Sequence, residues 1–165
     1  MTIRLSRPSD IYAAMPLYDE ARRRMRRAGN EAQWVNGYPQ EALIMKDIEE
    51  GVHYMCEEDG VAVAVFTMIA GDDPTYTFIE GQWLNDRPYC TIHRIASNGR
   101  RHGVLHEVLQ WAAHHTDNLR IDTHEDNLQM RHLLEKEGFR YCGIIYVADG
   151  TPRRAYQKTL VPSAR

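Results

Sequence analysis

The chain has 165 residues, a formal net charge of -3, and 43% hydrophobic and 26% charged residues. This composition is typical of a soluble globular protein, and the length favours one domain. The slightly negative charge argues against a general nucleic-acid binder, and no apolar run approaches the ~20 residues of a membrane span. We expect a single domain over residues 1–160, a short C-terminal tail over 161–165, and neither a membrane nor a nucleic-acid partner.

The N-terminal residues MTIRLSRPSD lack the apolar stretch of a signal peptide. The three cysteines, Cys56, Cys90 and Cys142, lie far apart in strand-like segments and form no CxxC pair. Unpaired thiols of this kind are typical of the reducing cytosol, so the sequence predicts a cytoplasmic protein. The eight histidines come with no HExxH motif and no cysteine pair, so no metal site is expected.

Hydrophobic periodicity and turn residues predict strands and helices in alternation along the chain. The first half is predicted to hold a strand at 2–6, a helix between Pro8 and Gly29, a helix at 40–50, strands at 52–57 and 61–70, and a short strand near 76–80. The second half is predicted to hold a strand at 88–97, a helix at 103–114, a strand at 119–123, a helix at 127–137, and strands at 139–147 and 153–160. This order predicts an α/β (α+β) fold, in which helices cover both faces of a mixed sheet.

The segment 92–105 is predicted to be a strand, a turn that carries glycine and arginine, and the start of a helix. A helix start exposes backbone N–H groups and the positive end of the helix dipole, so it is able to bind a phosphate, and Arg100 and Arg101 would add positive charge. An ordinary turn with solvated arginines explains the same residues, and both interpretations stay open. Neither GxGxxG nor GxxxxGK[ST] occurs, which disfavours a dinucleotide site and a P-loop.

A second segment, 122–139, also carries an informative pattern. Asn127 begins a predicted helix, and Gly138-Phe139 begins the strand after it. The two segments together resemble the GCN5-related N-acetyltransferase (GNAT) superfamily, with its Arg/Gln-x-x-Gly-x-Gly/Ala turn, Asn-headed helix and Gly-Phe strand. The element order matches over nearly the whole chain. The resemblance implies a mostly antiparallel sheet of six to seven strands, with a V-shaped gap between two central parallel strands.

The same resemblance implies an enzyme that moves an acetyl group from acetyl-coenzyme A to a primary amine of a small molecule or a peptide, by direct attack. The strand backbone would pair with the pantetheine arm and polarise the thioester carbonyl, the turn would hold the pyrophosphate, and the asparagine would help to position the thioester. The implied cofactor-binding residues are Ile95, Ala96, Ser97, Arg100, Arg101, His102, Gly103, Val104, Leu105 and Asn127. Edge-strand homodimers recur in this family.

Two residues depart from the family pattern. Leu105 stands where a small Gly or Ala is usual, and Leu134 stands where many members carry a tyrosine that protonates the leaving thiolate. The second departure motivates an alternative, a non-catalytic sensor that binds coenzyme A. Tyr141 and Tyr146 are weaker candidates for the acid and are more typical of strand packing.

An acceptor amine must lose a proton, so we expect a base near it, with His93, Glu80 and His124 as candidates. Strand alternation places His93 and Ile95 on one face, which would turn His93 toward the cleft. The competing interpretations are a core histidine for His93, a solvated loop glutamate for Glu80, and hydrogen bonding at the helix entry for His124.

Two aromatic residues, Trp34 and Tyr38, occupy the loop where family members build the acceptor pocket, and they are predicted either to bind the substrate or to fasten the loop to the core. The cluster Arg22–Arg27 is the basis of a third functional hypothesis, a nucleic-acid-binding module. It is also explained by a solvated helix face, or by contact with a phosphate of coenzyme A or an acidic acceptor.

Overall fold

The computed structural model describes residues 1–160, so the predicted tail at 161–165 lies outside the described residues. Within them, the chain forms eight strands and four α-helices. The strands are β1 (Thr2–Leu5), β2 (His53–Glu58), β3 (Val61–Ala70), β4 (Glu80–Gly81), β5 (Cys90–Ser97), β6 (Asn118–Thr123), β7 (Arg140–Tyr146) and β8 (Pro152–Thr159). The helices are α1 (Ile11–Arg27), α2 (Glu41–Glu49), α3 (Val104–Ala112) and α4 (Leu128–Lys136).

All eight strands form one sheet in the order β1-β2-β3-β5-β6-β8-β7-β4. The pair β5–β6 is parallel, and every other neighbouring pair among these strands is antiparallel. The predicted mixed, mostly antiparallel sheet is therefore confirmed. It has one strand more than the predicted six to seven, because the two-residue strand β4 adds to the edge beside β7.

Helices cover both faces of the sheet, as predicted. On one face, α1 and α2 pack through Tyr18 and Ile44 onto Met55 of β2. On the other face, α3 and α4 pack through Val108 and Leu134 in a cluster with Cys56, the next residue of β2. Adjacent strand residues point to opposite faces, so one strand contributes to both hydrophobic clusters. No helix in the range 1–160 combines the length and apolarity needed to cross a membrane.

The two central parallel strands pair with each other only at their beginnings. Cys90 pairs with Leu119 and Thr91 pairs with Arg120, after which β5 and β6 continue without pairing with each other. This separation is the V-shaped gap. It leaves the backbone of β5 beyond Thr91 with a sheet partner on one side only, the strand β3.

A bulge at Arg94 gives β5 its irregular course. The register with β3 shifts between Val65 and Thr67, and Arg94 has a φ of 52°. Bulges bend the strand that carries them, and this one also breaks the alternation of side chains. Ile92 and Ile95 consequently contact the same hydrophobic cluster at a spacing of three residues. The predicted common face of His93 and Ile95 is wrong for this reason.

His53 lies fully buried between α1 and the sheet. Its Nδ1 is 2.6 Å from Ser6 Oγ, and its Nε2 is 2.8 Å from Tyr18 Oη. Burial lowers the pKa of His53 from 6.5 to about 4, since desolvation penalises the charged ring and outweighs the nearby Asp47 carboxylate. The folded protein therefore favours the neutral form of His53 more strongly than the unfolded chain does.

We predict a corresponding pH dependence of stability. Above pH 6.5, His53 is neutral in both the folded and the unfolded state, and its contribution to stability is complete. As the pH falls from 6.5 toward 4, His53 takes up a proton in the unfolded state but not in the folded state, so this contribution is lost. The loss amounts to at most about 3 kcal/mol. In His53→Gln, the free energy of unfolding by urea should fall less between pH 7 and 4.5 than in the wild type. Equal slopes would contradict the assignment.

Candidate functional site

Two adjoining cavities open where β5 and β6 separate. The His93 cavity has a volume of about 550 Å³, and the Gly103 cavity has a volume of about 730 Å³. They meet at four lining residues that belong to both, namely Met25, Ile95, Asn127 and Met130. The gap in the sheet thus connects two chambers, one on each side of this junction.

His93 lines the first cavity and is paired with Asp73, a loop residue after β3. His93 Nε2 lies 2.8 Å from Asp73 Oδ2, and both side chains are mostly buried. Burial alone would raise the pKa of Asp73, but hydrogen bonds from His93 and Thr75 outweigh this effect and lower the pKa to about 2. The carboxylate therefore stays ionised at neutral pH and orients the imidazole through Nε2. The other ring nitrogen, Nδ1, is then the one that would accept a proton from a ligand.

The aromatic residues of the α1–α2 loop form another wall of the His93 cavity. Trp34 is buried against Tyr18, with ring centroids 6.0 Å apart, and Tyr38 packs edge-on against Trp34. Tyr38 Oη accepts a hydrogen bond from the Arg94 guanidinium at 3.1 Å. Both aromatic residues line the cavity, and Trp34 also fastens the loop to the core. Substrate binding by these two residues stays a prediction.

Carboxylates predominate among the charged groups of the His93 cavity. Asp73, Asp122 and Asp149 line it together with Arg94 and Arg153. The side chain of Arg94 is already bound in a bidentate pair to Asp47, which does not line the cavity. With the Arg94–Asp47 pair set aside, the lining holds three carboxylates and one guanidinium, a balance that favours a cationic ligand over an anionic one.

The Gly103 cavity is built around the start of α3. Gly103 has a φ of 76°, in the left-handed region that favours glycine, and no side chain caps the helix. The first N–H groups of a helix have no partner within it, so this turn presents donors and a positive dipole end to an anion. Nine of the ten predicted cofactor residues line this cavity: Ile95, Ala96, Ser97, Arg101, His102, Gly103, Val104, Leu105 and Asn127.

The tenth, Arg100, is exposed and does not line either cavity. Its backbone N–H donates to Asn98 Oδ1, which turns the chain at the tip of the loop. Arg101 is held by the carboxylates of Glu58 and Glu107. Neither arginine of the predicted turn therefore presents a free charge to the cavity.

Asn127 lies at the junction of the two cavities and has two local roles. Its Oδ1 caps α4 by accepting the N–H of Met130 at 3.1 Å, and its Nδ2 donates to Gln33 Oε1 at 3.0 Å. Gln33 Oε1 also accepts from Asn30 Nδ2 at 2.9 Å. Sequence reasoning missed Gln33, because its partner Asn127 is 94 residues away and its loop has no recognisable motif.

Two of the three predicted bases are not brought to the cavities. Glu80 lies on β4, at the sheet edge and separated from β6 by β8 and β7, where it accepts a hydrogen bond from Tyr146 Oη at 2.7 Å. His124 Nδ1 accepts the N–H of Asp126 at 3.0 Å and supports the entry to α4. Neither side chain lines either of the two cavities, so the structure does not bring these two predicted bases together with His93.

The two departures from the family pattern lie in the core. Leu105 is 7% exposed and packs in the cluster under α3, so its larger side chain points into the protein while the helix start still borders the cavity. Leu134 is fully buried in the same cluster and lines neither cavity. Tyr141 and Tyr146 also lie outside both cavities: the first stacks under Arg154, and the second is bound to Glu80.

The arginine cluster on α1 is largely paired within its own helix. Arg22 contacts Asp19, and both Arg23 and Arg27 contact Glu20. The pairs of Arg23 and Arg27 with Glu20 agree with a solvated helix face, whereas the Arg22 side chain is mostly buried and also donates to the Tyr38 backbone oxygen at 2.8 Å. Among residues 1–160, no group of three or more His, Cys, Asp or Glu side chains is arranged to hold a metal ion.

Comparison with known proteins gives a consistent result. No family model and no curated protein matches the chain, but many solved structures do. A GNAT-family acetyltransferase from Streptococcus agalactiae is 38% identical, with a TM-score of 0.87 over 96% of this chain and 94% of that one. A GNAT-family acetyltransferase from Listeria monocytogenes is 19% identical, with a TM-score of 0.71 over 96% and 94%.

The ribosomal-protein-S18-alanine N-acetyltransferase of Escherichia coli is 15% identical, with a TM-score of 0.63 over 99% of this chain and 96% of that one. At these lower identities the similarity concerns the fold. The splayed parallel strands and the uncapped helix start at Gly103 agree with the similarity to the S. agalactiae protein, which extends over nearly the whole length of both chains at 38% identity. The chain belongs to the GNAT family of acetyltransferases.

Proposed function

We propose that the protein transfers an acetyl group from acetyl-coenzyme A to a primary amine. The observation that carries this proposal is the junction of the two cavities in the β5–β6 gap. If the coenzyme A portion of acetyl-coenzyme A fills the Gly103 cavity, its thioester would reach the junction at Ile95 and Asn127. An amine in the His93 cavity would meet it there from the other side.

The residues of the Gly103 cavity fit acetyl-coenzyme A chemically. The helix start at Gly103 suits a diphosphate, because its N–H groups and dipole favour negative charge. The one-sided pairing of β5 leaves backbone groups for the amide-bearing pantetheine arm. When bound, acetyl-coenzyme A supplies an activated acyl group, and the residues Ile95 to Ser97 and Asn127 would orient it.

The residues of the His93 cavity suit an amine acceptor of a small molecule or a peptide. Carboxylates lining the cavity favour the ammonium form on arrival, and His93 Nδ1 would accept the proton that the amine loses. The amine nitrogen then attacks the thioester carbonyl directly. The carbon–nitrogen bond forms, the carbon–sulfur bond breaks, and the second proton of the attacking nitrogen passes to solvent. Because Leu134 has no acidic proton, His93 is the group we assign to return a proton to the thiolate, directly or through water.

A second candidate function, a sensor that binds coenzyme A without turnover, is favoured by the buried Leu134. The two candidates differ in one measurement: release of free thiol from acetyl-coenzyme A with a panel of amines. Turnover supports the enzyme, whereas binding without turnover supports the sensor. We also propose that the protein acts in the cytoplasm, in keeping with its three free, buried cysteines. A homodimer remains a prediction.

We predict that replacing His93 removes most of the activity. His93→Gln should lower kcat for amine acetylation about a hundredfold or more, because general base catalysis typically contributes that much, with little change in the KM for acetyl-coenzyme A. His132→Gln, at an exposed position of α4 that lines neither cavity, is the matched control and should retain activity. A fully active His93→Gln would exclude this base.

Asp73 should act as the positioning residue for that base. In Asp73→Asn we expect kcat to fall about tenfold or more while the KM for acetyl-coenzyme A stays constant, since the amide no longer holds the imidazole by charge. Steady-state kinetics that separate kcat from KM test this expectation. A rise in that KM with kcat unchanged would contradict the assigned role.

We further predict that Gly103→Trp and Asn127→Ala both weaken binding of acetyl-coenzyme A. The tryptophan strains a left-handed position and occupies the cavity, whereas the alanine removes the link to Gln33. Titration calorimetry should show a loss of tenfold or more for the first variant and a smaller loss for the second. Glu135→Ala, on the exposed side of α4, should bind like the wild type. Unchanged affinity in both site variants would count against the proposed cleft.

A further inference from the structure

The arginines of the turn at the Gly103 cavity offer little free positive charge to a ligand. A diphosphate carries two negative charges, yet the arginines of the turn that would receive it are engaged elsewhere or outside the cavity. Arg101 Nε lies 3.0 Å from Glu58 Oε2, and its other end contacts Glu107. Two carboxylates thus compensate the charge of the one turn arginine that lines the cavity.

Arg24, on α1, also lines this cavity. Its Nη1 donates to the backbone oxygen of Ser97 at 3.1 Å and approaches Ser97 Oγ at 3.4 Å. Both acceptors are neutral. Unlike Arg22 and Arg23, it contacts no carboxylate within residues 1–160, and its Nε and Nη2 donors have no partner there.

Gly99 makes this position possible. It has a φ of 74°, and a Cβ built on it would lie 2.8 Å from Arg24 Cζ and 2.9 Å from Arg24 Nη1. Real Cβ atoms do not approach other heavy atoms so closely, so a side chain at this position would displace the guanidinium. The guanidinium therefore lies directly on the turn that leads to Gly103, and Arg24 lines the cavity beside it.

We propose that Arg24, on α1, binds the diphosphate of coenzyme A together with the helix start at Gly103. The inference rests on the proposed function, because it assumes that coenzyme A occupies this cavity. A guanidinium forms short, charge-assisted and often bidentate hydrogen bonds with phosphate, and it stays charged at every accessible pH. Two cations of this cavity have no carboxylate partner within residues 1–160, namely Lys136 on α4 and Arg24 on α1. Arg24 is the one that contacts the turn, through Ser97 and Gly99, and it makes α1 part of the cofactor site.

The test compares Arg24→Met with Arg23→Met, a neighbouring arginine that faces Glu20 instead. Titration calorimetry would measure the binding of coenzyme A and of 3'-dephospho-coenzyme A, and competition with coenzyme A would measure pantetheine. Arg24→Met should lose about tenfold or more in affinity for both nucleotide-containing ligands and nothing for pantetheine. Arg24→Lys should recover part of the loss, and Arg23→Met should bind all three like the wild type.

Each other outcome overturns the assignment. An equal loss for pantetheine would mean that Arg24 only supports the fold of the cavity. A loss confined to coenzyme A, absent with the 3'-dephospho ligand, would move the contact to the 3'-phosphate. Wild-type affinity in Arg24→Met would refute the contact while leaving the proposed function intact. A wild-type protein that binds no coenzyme A would contradict both.

Discussion

The buried ion pair between Arg94 and Asp47 holds the irregular point of β5 on which both cavities depend. Arg94 adopts a left-handed φ of 52°, which costs a non-glycine residue about 1–2 kcal/mol and persists only when its surroundings fix it. Two hydrogen bonds to Asp47, at 2.9 and 3.0 Å, do so, and Asp47 also accepts one from Thr67 Oγ1 at 2.8 Å. One carboxylate thereby links α2, β3 and the bulge. The bulge bends β5 beside a gap that no other strand of residues 1–160 fills, and the same guanidinium positions Tyr38.

The two cavities beside this gap differ in the charged groups that line them, and this difference determines which kind of ligand each one favours. Around His93, carboxylates such as Asp73 and Asp122 predominate, which suits an amine that arrives as a cation. Around Gly103, helix N–H groups and the guanidinium of Arg24 face the cavity, which suits phosphate. Asn127 and Gln33 stand where the two environments meet, joined by a hydrogen bond of 3.0 Å. We regard this arrangement as the physical basis of the proposed transfer between a phosphate-bearing donor and an amine.

Features with local causes were predictable from the sequence, and features that depend on strand order were not. The helix start at Gly103 and the cap at Asn127 follow from short-range backbone chemistry, so both lie as predicted. Glu80 was placed beside the acceptor because nothing local reveals that β4 lies at the far edge of the sheet. The alternation predicted for β5 failed at Arg94, because periodicity carries no sign of a bulge. Arg24, Gln33 and Asp73 were not among the predicted site residues, since each meets its partner across a long stretch of chain.

The sequence by itself determined the element order, the placement of helices on both faces, the glycine-bearing turn and the family resemblance. These follow from hydrophobic periodicity, capping residues and turn residues, which act over a few positions along the chain. Only the tertiary structure decided which charges remain free in the cleft: it pairs Arg101 with Glu58 and Glu107, and it brings Arg24 to Ser97 from 73 residues away. Charge compensation depends on distances of a few ångströms between groups remote in the chain, and no local pattern of residues encodes those distances.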